Sequence, residues 1–176
     1  MYKKSVLSNG IRILTEEITS VRTVSAGIYV GVGSRDENDS EAGISHFIEH
    51  LMFKGTENRS ARQIAEAFDD IGGQLNAYTT KEYTCYYARV MDEHFPVAAD
   101  ILSDMLLHSC FAAEDIEKEK GVIIEEINMS EDSYDELVFD VFADVLWHGH
   151  PLGKPILGTV DSVSAMTRDQ IINYYN

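Results

Sequence analysis

Positively charged residues are scarce in this chain of 176 residues. Its 14 lysines and arginines stand against 30 aspartates and glutamates, which gives a formal net charge of −16. Phosphate backbones and anionic lipids repel such a protein, so the composition argues against nucleic-acid or membrane-surface partners. A hydrophobic content of 44% is too high for a disordered chain. We therefore expect one folded globular domain with a sizeable core.

Cysteines and long apolar runs are equally scarce. Cys85 and Cys110 lie far apart and outside any Cys-x-x-Cys or Cys/His spacing, so neither a disulfide framework nor a thiolate metal site is indicated. No apolar stretch approaches the length that spans a bilayer, and the N-terminal lysines are not followed by the apolar run of a signal peptide. The expectations are two buried free thiols, no membrane partner and a cytoplasmic location.

Strand patterns occupy much of the first half of the chain. Asn9-Gly10 supplies the positive-φ pair of a tight hairpin turn, and residues 24–30 form a further strand. Residues 75–79 and 84–90 are predicted to pair as an antiparallel hairpin, because both are rich in aromatic or β-branched residues.

Helical periodicity covers most of the remainder. Ser60 with Gln63, and Thr167 with Gln170, have the spacing of capping boxes that open helices. The predicted helices span residues 41–53, 61–71, 94–108, 113–129 and 134–147, with a last one opening at 167. N-terminal strands followed by helices predict an α+β fold, in which helices flank an antiparallel sheet. Because the last helix stops at Asn176 without a cap, we expect a fragment of a longer protein.

Negative charge is concentrated in residues 92–140, which hold 15 aspartates and glutamates and only two lysines. One interpretation is a set of solvated helix faces. The other is an acidic wall that attracts basic peptides. The sequence leaves both open.

The five-residue segment from His46 to His50 carries the clearest chemical signal. Its two histidines lie four residues apart, about one helical turn, so both imidazoles project from one face and can share a metal ion. Glu49 completes the His-x-x-Glu-His order of the inverzincins. A carboxylate beside the metal that is not a ligand can take a proton from the attacking water.

A third ligand is expected from another helix, because catalytic zinc usually has three protein ligands. Glu119 and Glu126 lie seven residues apart, nearly two turns, and therefore share a face, whereas Glu125 is turned by about 100° from Glu126. Two carboxylates on a partly apolar face would be explained by a metal and its surroundings. Periodicity alone leaves open that both are exposed.

Four ordered blocks of the sequence resemble the pitrilysin-type metallopeptidases, in particular the branch of the mitochondrial processing peptidase and its bacterial relatives. The blocks are residues 43–56 around the histidines, residues 72–79 with Gly72-Gly73 and Leu75-Asn76-Ala77-Tyr78-Thr79, residues 119–127 around the glutamates, and residues 148–158. The resemblance implies that His46, His50 and Glu126 bind one zinc ion and that Glu49 is the general base. It also implies that Glu119 supports a ligand histidine.

The same resemblance implies a substrate site and a function. Asn76 and Ala77 would lie on an edge strand that binds an extended peptide by backbone pairing. The implied function is that of a zinc-dependent endopeptidase acting on peptides or unfolded protein. The alternative is a catalytically inactive peptide-binding or scaffold subunit or fragment of the same family, and an isolated fragment is expected to bind zinc more readily than it cleaves peptides. A structural zinc site is disfavoured, because such sites usually have four protein ligands rich in cysteine.

The expected domain organisation follows from the family pattern, in which substrate is enclosed between two halves or two subunits. Residues 1–176 are interpreted as a single N-terminal zinc-peptidase domain, truncated at its C-terminus and without the second homologous domain. The expected partners are a peptide or unfolded protein substrate, the missing C-terminal half and, as a further option, a second copy in a homo-oligomer.

Overall fold

The fold was obtained as a computed structural model that describes residues 2–176. It begins with a hairpin of β1 (Tyr2–Val6) and β2 (Arg12–Glu16), which pair antiparallel as a separate two-stranded sheet. Gly10 in the connecting turn has a φ of 90°, a conformation that residues with a Cβ rarely adopt. The hairpin predicted from Asn9-Gly10 is confirmed.

The main sheet has three antiparallel strands, β3 (Thr23–Val30), β4 (Gln74–Thr79) and β5 (Thr84–Met91). Their spatial order is β3-β5-β4, so β5 is central and β4 lies at an edge. The predicted hairpin of β4 and β5 is confirmed, with Asn76 opposite Tyr87 and Ala77 opposite Tyr86. The side chains of Ala77, Tyr86 and Ala88 lie on the buried face of the sheet.

Within the described residues 2–176, seven α-helices follow or separate these strands. They are α1 (Ile44–Leu51), α2 (Ala61–Asp70), α3 (Phe95–His108), α4 (Ala113–Asp132), α5 (Tyr134–Leu146), α6 (Val160–Ala165) and α7 (Arg168–Tyr175). The capping boxes at Ser60 and Thr167 are confirmed, since each side chain accepts the N–H of the residue three positions later. None of the helices in residues 2–176 is both long and apolar enough to cross a membrane.

Three expectations about local structure need correction. Helix α1 begins at Ile44 instead of near residue 41, because Asp39–Glu41 form a separate 3-10 turn and Gly43 has a left-handed φ of 89°. The short helix α6 was not predicted. Cys85 is buried on the central strand as expected, but Cys110 is exposed, because it lies in the loop between α3 and α4.

The core lies between the main sheet and helices α1, α3 and α4. Its fully buried side chains include Phe47 of α1, Ile101 of α3 and Ile123 of α4. Helix α5, by contrast, contributes no buried residue. The observed architecture is therefore the predicted α+β arrangement of an antiparallel sheet with helices packed against it. Helix α1, which carries His46 and His50, packs within the core.

Candidate metal centre

A buried carboxylate holds the start of helix α1, which carries both histidines. Glu37 is 4% exposed, and its two carboxylate oxygens accept the backbone N–H groups of Gly43 at 2.7 Å and Ser45 at 2.9 Å. It thus satisfies N–H groups at the start of the helix, where the N-cap glycine has no side chain. Burial raises the pKa of Glu37, and the two backbone hydrogen bonds oppose that rise. The sequence gives no sign of this role, because Glu37 lies in an acidic loop that resembles an exposed one.

Three side chains from two helices converge beside α1. Nε2 of His50 lies 3.4 Å from Oε2 of Glu126, and Nε2 of His46 lies 3.7 Å from the same oxygen. One ligand atom from each of the three residues lies within 4.8 Å of the others. Atoms bound tetrahedrally to zinc at about 2.0–2.1 Å lie about 3.4 Å from one another. Two imidazoles and one carboxylate at this spacing fit a zinc ion.

The protonation state of His46 also suits a metal ligand. Burial, together with the smaller effect of the nearby His50 ring, lowers the pKa of His46 to about 4. His46 is therefore neutral at neutral pH, the form in which an imidazole nitrogen has a free lone pair.

Glu119 lies behind His50, on the side away from Glu126. Its Oε2 is 3.1 Å from Nδ1 of His50, and its Oε1 is 2.7 Å from Nζ of Lys54. Glu119 is 5% exposed, so this carboxylate is buried between an imidazole and a lysine. A carboxylate that receives the second N–H of a ligand histidine fixes the orientation of the ring. The sequence analysis placed Glu119 in this supporting role but missed Lys54.

Glu49 projects from α1 towards the same cluster and the end of β4. The hydroxyl of Thr79 donates a hydrogen bond to Oε2 of Glu49. Burial raises the pKa of Glu49, while the Thr79 hydrogen bond and the nearby His50 lower it and Glu126 raises it again. Glu49 is thus a half-buried carboxylate within electrostatic reach of two of the three proposed ligands.

The two residues proposed to bind substrate lie on the edge strand β4. The backbone N–H of Ala77 donates to Oδ1 of Asn76 at 2.8 Å, so this donor points away from the ladder with β5. A cavity of about 540 Å³ lies between α2 and this strand, and its lining includes Phe53, Ile64, Phe68, Leu75 and Asn76. The strand therefore lies at the edge of the sheet beside a cavity of mixed polar and apolar lining.

The glutamates of α4 differ in exposure. Glu119 is buried and Glu126 half-buried, whereas Glu125 is exposed. Ile123 lies fully buried between the two inward glutamates. Val122 is 44% exposed, because it is turned away from the line that joins positions 119, 123 and 126.

Comparison with known proteins places these features in context. The family model described as insulinase, peptidase family M16, matches residues 12–160. The chain is 49% identical over 174 residues to the uncharacterized zinc protease YmxG of Bacillus subtilis, covering 99% of the chain and 42% of that protein. It is 49% identical over 173 residues to an uncharacterized zinc protease of Streptomyces coelicolor, covering 98% of the chain and 38% of that protein. The chain thus spans about two fifths of the length of these relatives.

Solved structures share the fold. A putative M16-like peptidase from Alicyclobacillus acidocaldarius superposes with a TM-score of 0.87 at 28% identity, over 99% of this chain and 42% of that one. A protease from Helicobacter pylori gives a TM-score of 0.94 at 21% identity, covering 99% of this chain and 42% of that one. An M16 inactive domain from Pseudomonas fluorescens gives a TM-score of 0.91 at 14% identity, covering 99% of this chain and 43% of that one. The last two likenesses concern the fold alone.

Proposed function

Because the chain belongs to the insulinase family, peptidase family M16, we propose that it forms the zinc-binding part of an endopeptidase that cleaves peptides or extended protein segments. The observation that carries this proposal is the convergence of His46, His50 and Glu126, whose donor atoms have the spacing of a three-ligand zinc site. The names of the relatives, zinc proteases, support the same assignment.

The three ligand residues would hold one zinc ion per chain. A zinc ion in such a site supplies Lewis acidity, which acidifies water and polarises a peptide carbonyl. Glu119 holds Nδ1 of His50, so the other ring nitrogen, Nε2, is directed at the site. The protein's contribution is therefore a fixed set of donor atoms and a fixed ring orientation.

Glu49 would serve as the general base. Its carboxylate takes a proton from the attacking water and delivers it to the leaving amine when the peptide bond breaks. Burial raises the pKa of Glu49 and so brings it nearer to neutral pH, which favours both proton transfers. The hydrogen bond from Thr79 orients the carboxylate while the base is ionised.

Substrate would bind as an additional strand along β4. The outward N–H of Ala77 can donate to a carbonyl oxygen of an extended peptide once the side chain of Asn76 moves aside. Because the chain spans only about 42% of its Bacillus relative, we also propose that further parts of a longer protein complete the enclosure around substrate. A homo-oligomer and a cytoplasmic location stay predictions.

The alternative function, an inactive peptide-binding or scaffold subunit, is less well supported. Loss of activity is expected to accompany loss of a ligand or of the base, and this chain has all three ligands and Glu49.

The test compares Glu49→Gln with wild type in the full-length protein, because further parts of a longer protein are proposed to complete the enclosure around substrate. We expect the variant to retain zinc, because Glu49 is not among the three converging ligands, and to lose cleavage of a fluorescently labelled unfolded protein. Glu114→Gln, an exposed change at the start of α4, is the matched control and should keep both properties. Cleavage by Glu49→Gln at the wild-type rate would exclude the general-base role. Zinc binding without any cleavage by the wild type would favour the scaffold alternative.

A further inference from the structure

Lys54 lies beside the candidate metal centre without belonging to the three ligands or the base. It follows His50 by four residues and lies in the turn after α1. Nζ of Lys54 is 2.7 Å from Oε1 of Glu119. The Lys54 side chain is 36% exposed and that of Glu119 only 7%, so the lysine reaches the buried carboxylate from the solvent side.

The two oxygens of Glu119 have different partners. When His50 binds a metal through Nε2, its Nδ1 carries the proton and donates it to Oε2 of Glu119. Oε1 then needs a donor of its own, because a buried carboxylate with one unsatisfied oxygen is costly. Lys54 is the cation that supplies it.

We propose that Lys54 is a positioning residue, which holds the Glu119 carboxylate in the orientation that fixes the His50 ring and thereby strengthens zinc binding. The inference rests on the proposed zinc site. Without the ammonium group, the carboxylate of Glu119 is free to rotate about its side-chain torsions, and the hydrogen bond to Nδ1 of His50 is no longer enforced. The ligand ring then samples orientations in which Nε2 does not face Glu126.

The physical claim is one of coupling, so a double-mutant cycle tests it best. The variants are Lys54→Met, Glu119→Gln and the double variant, with zinc dissociation constants measured by competition against a chromophoric chelator. Removing a partner of a ligand histidine typically weakens metal binding by about 10–100-fold, and we expect Lys54→Met to lie near the lower end, at about tenfold. In the Glu119→Gln background, the same change should cost much less, because the carboxylate that Lys54 positions is already gone.

Two controls separate this role from general stabilisation. Lys54→Arg keeps the cation and should recover most of the zinc affinity that Lys54→Met loses. Lys120 lies on α4, like Glu119, and pairs with a glutamate, with 2.8 Å between the two charged groups. Lys120→Met makes the same change of charge as Lys54→Met and should leave zinc affinity unchanged. Thermal unfolding of the zinc-free variants shows whether any of them has lost its fold.

The outcomes are distinguishable. Zinc binding by the wild type, weakened by Lys54→Met only when Glu119 is present, supports the inference. Equal losses in both backgrounds, or no loss in either, overturn the role of Lys54 while the zinc site stands. A wild-type chain that binds no zinc overturns the proposed function and this inference together.

Discussion

Nε2 of His50 lies 3.4 Å from Oε2 of Glu126, although the two residues come from helices α1 and α4, which are far apart in sequence. The other nitrogen of the same ring faces Glu119, which lies nearly two turns before Glu126 on α4. One imidazole therefore lies between two carboxylates of a single helix, and in the proposed zinc site Glu126 would share the metal while Glu119 would orient the ring. This relationship makes α4 as important to the site as the motif helix itself.

Glu126 should matter far more for zinc binding than its neighbour Glu125. Glu126→Gln removes a converging donor atom, whereas Glu125 is exposed on another face of α4. Loss of a partner of a ligand costs about 10–100-fold in affinity, and loss of the ligand itself should exceed that range. Zinc dissociation constants of Glu126→Gln and Glu125→Gln check this. A larger loss in Glu125→Gln would show that the proposed register of α4 is wrong.

Thr79 should set the acidic limb of the pH–rate profile. Its hydroxyl donates to the carboxylate of Glu49 and so favours the ionised form, which lowers the pKa of Glu49 against the rise caused by burial. Thr79→Val removes that donor, the pKa of Glu49 rises, and the activity lost on acidification should be lost at a higher pH. Thr79→Ser keeps a hydroxyl and should keep the wild-type limb. An unchanged limb in Thr79→Val would mean that Glu49 is not the base that this limb reports.

Asp104 should stabilise the fold. It is 5% exposed on α3, and its carboxylate accepts hydrogen bonds from the loop that follows α1 and from its own helix, with the partners Thr56, Asn58, Arg59 and His108. Asp104→Ala leaves these donors without their acceptor and should lower the free energy of unfolding by about 3 kcal/mol. Asp100, an exposed partner of Arg59, is the matched control. Asp100→Ala should change the free energy of unfolding by less than about 0.5 kcal/mol. If denaturant titrations showed that Asp104→Ala and Asp100→Ala lower the free energy of unfolding equally, the stabilising role of Asp104 would be contradicted.

The same carboxylate gives a pH dependence with a defined sign. Burial raises the pKa of Asp104, but hydrogen bonds from Asn58, Thr56 and Arg59 outweigh it and lower the pKa to about 2. Because the folded-state pKa lies below the unfolded value of about 3.9, the stabilisation is complete above that value and is lost as the pH falls towards 2. Unfolding free energies between pH 5 and pH 2 should therefore fall less in Asp104→Ala than in wild type. If the unfolding free energies of wild type and Asp104→Ala fell in parallel over this pH range, the predicted contribution of Asp104 would be contradicted.

Helical periodicity was enough to predict which site residues share a face. The spacing of His46 and His50 on one helix, and of Glu119 and Glu126 on another, follows from 3.6 residues per turn. The hairpin of β4 and β5 was likewise predictable, because its strand patterns lie close together in sequence. Local patterns of this kind do not depend on the rest of the fold.

Other features depend on contacts between distant segments, and the sequence carries no local sign of them. Thr79 contacts Glu49, and Lys54 contacts Glu119, only because β4 and α4 pack on either side of α1. Glu37 reaches the start of α1 from an acidic loop that resembles an exposed one. The central position of β5 was unpredictable for the same reason, since it requires β3 to pair across the sheet.

The most direct test of the account is the zinc content of the purified chain, measured by mass spectrometry beside its His50→Ala variant. We predict one zinc ion per wild-type chain and its loss in His50→Ala, because the variant removes the ring that faces both Glu119 and Glu126. A wild-type chain that stays free of zinc when zinc is supplied, or a variant that keeps it, would contradict the assignment of this site.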